Sequence, residues 1–130
     1  MKIAVDFDGT CVTHSFPAVG KEIGASEVLL ELARKGHKLI LFTMRSDNIK
    51  ANQMYLTDAI NWFKKWEIPL YGIQSDPQQK AWTTSPKCYA EIYIDDAALG
   101  APLTYEPDIS DRPFINWSSA RELLVKKGAL

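Results

Sequence analysis

Neither sign of charge dominates this chain. Fifteen lysines and arginines stand against sixteen aspartates and glutamates, for a net charge of −1. That balance gives no electrostatic footing for nucleic acid or an anionic membrane surface as partner. Cysteine is scarce as well. Cys11 and Cys88 fit no metal-ligand spacing and make no disulfide framework. No apolar run is long enough to span a bilayer, and no signal-like segment precedes the first apolar stretch. A reduced, cytoplasmic protein is the expectation. There are no internal repeats and no low-complexity segments. The 130 residues are enough to bury a core without staples, which predicts one domain over residues 1–130.

Apolar patterning predicts alternating strands and helices. Lys2–Phe7 is a buried strand, and Lys38–Thr43 is a second without alternation, so both its faces should be covered. Leu70–Gln74 and Glu91–Asp95 are shorter strands, and Pro113–Ile115 is a candidate fifth. Leu29, Leu32 and Ala33 recur at helical spacing behind Ser26 as N-cap, with Gly36 as the stop. Leu56, Ala59, Ile60 and Phe63 form the stripe of a second helix that ends before Pro69. Ser119 and Glu122 form a capping box for a last helix with Leu123 and Leu124 turned inward. Such alternation predicts a three-layer, Rossmann-like parallel sheet with helices on both faces. Ser75–Tyr89 and Ala97–Arg112 remain long and irregular, as functional loops often are.

The stretch "AVDFDGTC" poses the chemical question. Asp6 and Asp8 stand two apart at the end of a strand, and two more acids, Asp95 and Asp96, end "EIYIDD". Ligands of open α/β sheets bind beyond the carboxyl ends of the strands. Four carboxylates on one sheet edge repel one another unless a cation is present. A hard divalent ion with oxygen ligands, Mg²⁺ above all, answers that repulsion. Asp6, Asp8, Asp95 and Asp96 are its candidate ligands.

"DFDGT" ending a strand, Thr43 ending the next, and a lysine before "IDD", in that order, resembles the haloacid dehalogenase superfamily of phosphohydrolases. The resemblance covers about Lys2 to Leu103. It implies that Asp6 is a nucleophile forming an aspartyl-phosphate. Asp8 would serve as the acid and then the base. Thr43 and Lys87 would hold the transferring phosphoryl oxygens. Asp6, the main-chain carbonyl of Asp8 and Asp95 would bind Mg²⁺, with Asp96 supporting the ion directly or through water. Relatives that cleave carbon–halogen bonds lack an acid at the position of Asp8, so Asp8 points to phosphate esters.

Each role also has a bland counterpart. Thr43 could be an ordinary β-branched strand end. Lys80 competes with Lys87, and either could be a solvated loop residue. Gly9 lets the backbone approach a phosphate and offers a free N–H, with Thr10 beside it. Arg45 could bind a substrate phosphate or form a surface ion pair. His14 and His37 read as incidental, Cys11 as a small apolar filler, and Trp62 and Trp66 as core or helix surface. Trp82 is a candidate substrate contact.

No segment is long enough for a cap domain, as in the small, capless branch of the superfamily. An open site either takes a bulky substrate or is closed by a neighbouring copy in a homo-oligomer. A small phosphorylated metabolite, such as a sugar phosphate, is the expected substrate. Two other classes compete. One is a catalytically silent metal-binding interaction module. The other is a receiver-type signalling domain, which would place its acidic pair and its phospho-acceptor on different strands.

Overall fold

A computed structural model describes all 130 residues. Four parallel strands make the main sheet: β1 (Lys2–Val5), β2 (Lys38–Leu41), β5 (Gly72–Ile73) and β6 (Ile92–Ile94), in the order β5-β2-β1-β6. Helices α1 (Ala25–Arg34), α2 (Tyr55–Lys65) and α3 (Trp117–Lys126) accompany it. Two small antiparallel pairs complete the chain: β3 (Asp47–Asn48) with β4 (Gln53–Met54), and β7 (Leu103–Thr104) with β8 (Phe114–Ile115). The α/β class and the parallel sheet agree with the sequence pattern. No helix is long and apolar enough to cross a membrane.

Register explains where the core sits. Ile3 pairs with Leu39 and Ile92, and Val5 with Leu41 and Ile94, so these six side chains share one face. The buried residues of α1 (Ala25, Val28, Leu29, Leu32), α2 (Ala59, Trp62, Phe63) and α3 (Trp117, Ala120, Leu124) join that face in a single cluster. The opposite face holds only a small cluster of Ala4, Ile40 and Cys88. The expectation of helices on both faces is therefore corrected. Both β1–α1–β2 and β2–α2–β5 step the same way across the sheet, and right-handed crossovers put both helices on one side. The β5–β6 connection steps back past β2 and β1, so it crosses the other face. There the chain supplies one 3₁₀ turn, Gln79–Ala81, in place of a helix.

Local differences have local causes. Pro113–Ile115 does not enter the main sheet, because β8 pairs with β7. Helix α1 starts one residue before Ser26, after Gly24 at φ 101°, and the Glu22 carboxylate accepts the N–H groups of Gly24 and Ser26. Asn116, not Ser119, caps α3 by accepting the Ser119 N–H at 3.1 Å. Leu124 is buried, but Leu123 is exposed.

Candidate functional site

β1 and β6 are hydrogen-bonded neighbours, and the strand order reverses between them. A crevice opens beyond the carboxyl ends of strands at such a switch point. Asp6 follows β1 there, and Asp95 and Asp96 follow β6. Carboxylate oxygens of all three lie within 4.8 Å of one another. Thr10, fully buried, links them: its hydroxyl donates to Asp6 Oδ2 at 2.9 Å, lies 3.3 Å from Asp96 Oδ1, and accepts the Asp96 N–H at 3.1 Å. Trp117 Nε1–H in turn donates to the Thr10 carbonyl at 2.7 Å. Burial, reinforced by the charge of Asp95, pushes the Asp6 carboxyl up to about 8.

Asp8 stands apart from this cluster. Its two oxygens accept from Arg45, Nε to Oδ2 and Nη2 to Oδ1, both at 2.8 Å. Arg45 is only 2% exposed, so it is neither a surface ion pair nor open to a substrate phosphate, as the sequence had suggested. Thr10 and Gly9 are corrected likewise. The Thr10 hydroxyl organises carboxylates, and the Gly9 N–H donates to the Val12 carbonyl at 2.8 Å rather than standing free. Gly9 is needed for another reason. At φ 79°, a Cβ there would lie 2.1 Å from His14 Nε2 and 2.5 Å from Asp96 Oδ2.

His14, read from sequence as incidental, thus roofs Gly9 and pairs with Asp96 through Nε2 and Oδ2 at 2.9 Å. Its separation of six residues from Asp8 gave no sign of this, because the pairing partner is 82 positions away. Gln74 also escaped notice. Its carboxamide accepts the Thr43 N–H at 2.9 Å and donates to the carbonyls of Thr43 and Arg45, fixing the end of β2. Its place as last residue of "LYGIQ", at the carboxyl edge, was the available signal. Thr43 Oγ1 accepts the Arg45 N–H at 3.1 Å, which leaves its hydroxyl proton uncommitted.

Lys87 is not brought to the carboxylates. Its Nζ lies 5.6 Å from the ring centroid of Tyr93, two residues before Asp95, and pairs with no acid. Two residues of strand rise separate those two positions by roughly 7 Å. Lys80 and Trp82 lie on the β5–β6 crossover, where Trp82 packs edge-on against Tyr89. Trp62 is buried, Trp66 is partly exposed, and Cys11 is fully buried.

No model of a known protein family matches the chain, and no curated protein does. A solved structure, described as that of a conserved protein coded by a locus from Bacteroides thetaiotaomicron, superposes with a TM-score of 0.76. The two sequences are 31% identical over 98% of this chain and 91% of that one. At that identity and coverage, this chain belongs to the same family as that conserved Bacteroides thetaiotaomicron protein.

Proposed function

We propose that this protein is a phosphohydrolase of the haloacid dehalogenase type, dependent on a hard divalent cation and acting on phosphate monoesters. One observation carries the reading. Asp6, Asp95 and Asp96 converge within 4.8 Å at the sheet's switch point. The donor set fits a hard cation: all oxygens, all acidic, with Asp6 pushed up to about 8 by burial and by the neighbouring Asp95 charge. By the resemblance the ion is Mg²⁺, held by Asp6, Asp95 and the main-chain carbonyl of Asp8, with Asp96 in support. Once bound, it would neutralise the carboxylates and draw charge from the phosphoryl oxygens.

The chain's own residues supply the rest. Asp6 attacks phosphorus, an Asp6–phosphorus bond forms, and the ester bond breaks. Asp8 gives its proton to the leaving oxygen. Asp8 then takes a proton from the water that cleaves the phospho-enzyme, releasing inorganic phosphate and restoring Asp6. Thr43 has a hydroxyl proton to offer a phosphoryl oxygen. Lys87 can join only by leaving the Tyr93 ring, which its flexible stem permits.

The test is phosphate release from p-nitrophenyl phosphate. We expect turnover with Mg²⁺, none in excess chelator, and none from Asp6→Asn in either condition. Full activity in chelator would sink the reading. The position of Lys87 off the site favours a second reading, a metal-binding module without turnover. It predicts Mg²⁺ binding with no phosphate release from any ester.

A further inference from the structure

Arg45 carries a charge in the interior, and such a charge persists only if it is paired and fully hydrogen-bonded. Arginine has five N–H donors, and here each is placed. Nε and Nη2 grip Asp8 side-on. Nη2 also donates to the Ala18 carbonyl at 2.8 Å, and Nη1 donates to the carbonyls of Pro17 and Tyr55, each at 3.2 Å. The guanidinium carbon lies 5.0 Å from the Phe7 ring centroid and 5.2 Å from that of Phe16. No donor is left for a ligand. The fork takes two of the roughly four lone-pair sites of the Asp8 carboxylate and leaves the others unused by Arg45. Asp8 itself keeps some exposure, with 19% of its side chain reaching solvent.

The geometry points to Arg45 as a positioning residue: it holds Asp8 in the orientation from which Asp8 exchanges a proton, and it touches no substrate. This rests on the phosphohydrolase reading. A proton donor must sit within hydrogen-bond reach of the leaving oxygen. An Asp8 freed from the fork would rotate about its side-chain bonds and keep that geometry only part of the time. The same guanidinium ties the Pro17–Ala18 segment and the first residue of α2 to Asp8, so the acid is fixed relative to two further segments of the chain as well. Lysine keeps the charge but not the planar fork.

The experiment compares Arg45→Lys and Arg45→Gln with wild type on two substrates. p-Nitrophenyl phosphate has a leaving group that needs little protonation, whereas glycerol phosphate has one that needs it. With Mg²⁺ present and folding verified by circular dichroism, we expect kcat on glycerol phosphate to fall by about 10², the scale of lost general acid catalysis. KM should stay within about twofold, and the loss on p-nitrophenyl phosphate should be under about tenfold. Asp8→Asn combined with Arg45→Lys should be no slower than Asp8→Asn alone. If Arg45→Gln does not fold, Arg45→Lys carries every comparison. A raised KM at unchanged kcat would instead make Arg45 a substrate contact and overturn the proposal. So would equal losses on both substrates, or losses that multiply in the double variant. Wild type without turnover on either ester overturns the phosphohydrolase reading and this inference together, and is seen before any variant is made.

Discussion

Asp6 has little water and a like charge beside it. Its ordinary value of 3.8 is pushed up to about 8 by burial first and by Asp95 second, while the Thr10 hydroxyl pulls the other way. The folded chain thus holds this proton more tightly than the unfolded chain does. Stability from that difference is fully present below about pH 4 and is lost as the pH rises toward about 8. Asparagine at position 6 cannot ionise. In chelator, wild type should lose stability relative to Asp6→Asn between pH 5 and pH 8. Urea midpoints at both pH values measure it, and parallel midpoints for the two proteins would refute the assigned cause. With saturating Mg²⁺ the loss should disappear, because a bound cation favours the ionised Asp6 carboxyl against both the burial and the Asp95 charge that raise it. Glycine 9 is the other residue on which the site depends, since any side chain there meets the His14 imidazole.

Among the elements, the β5–β6 crossover is the one that lacks regular structure, and it is held by polar pairing instead. The Asp76 carboxylate is 1% exposed and accepts from Lys2 Nζ at 2.8 Å. Gln79 accepts the N–H groups of Asp76 and Tyr89, and donates to the carbonyls of Ser85 and Lys87. Lys2→Met keeps the stem but leaves the Asp76 carboxylate without its partner, and should lower the denaturant midpoint at neutral pH. The Lys2 ammonium holds Asp76 below the usual carboxylate range. That contribution is therefore present above the ordinary value of 3.8 and lost as pH falls through the lower, folded one. Denaturant midpoints of the two proteins should converge in strong acid and stay apart at neutral pH. Equal midpoints at pH 7 would remove Lys2 as the anchor. Sequence reading placed the four parallel strands as short apolar runs and the three helices by the helical spacing of their apolar residues. It missed β3, β4 and β7 because Asp47–Asn48, Gln53–Met54 and Leu103–Thr104 carry no apolar run. It also assigned a second helical layer that residues 75–89, with two prolines and no apolar repeat, do not support. The caps went astray because Glu22 and Asn116 act from just outside the helices. The carboxylates were legible because they follow strand ends. The Arg45 and His14 pairings were not, since only the fold brings residues 37 and 82 positions apart together.

The whole molecule is nearly neutral, yet its acids are unevenly placed. Strand order puts β1 beside β6 although 86 residues lie between the two strands, so Asp6 meets Asp95 and Asp96 only when the sheet has closed. Cation binding at this cluster must then be linked to folding, because the unfolded chain has no such site. A ligand that binds only the folded state stabilises it by RT ln(1 + [L]/Kd), about 2.7 kcal/mol at one hundred times Kd. Mg²⁺ should therefore raise the urea midpoint of wild type in proportion to the logarithm of its concentration. Asp6→Asn, Asp95→Asn and Asp96→Asn should each lose most of that increment. Asp8→Asn starts from a lower midpoint, having broken the pair with buried Arg45. It should still gain the full increment, because the Asp8 side chain faces Arg45 and its main-chain carbonyl survives the substitution. The measurement is the midpoint with and without Mg²⁺ for each variant, at fixed pH and ionic strength. An increment kept by all three cluster variants would move the cation elsewhere, and one lost by Asp8→Asn would place its carboxylate among the ligands.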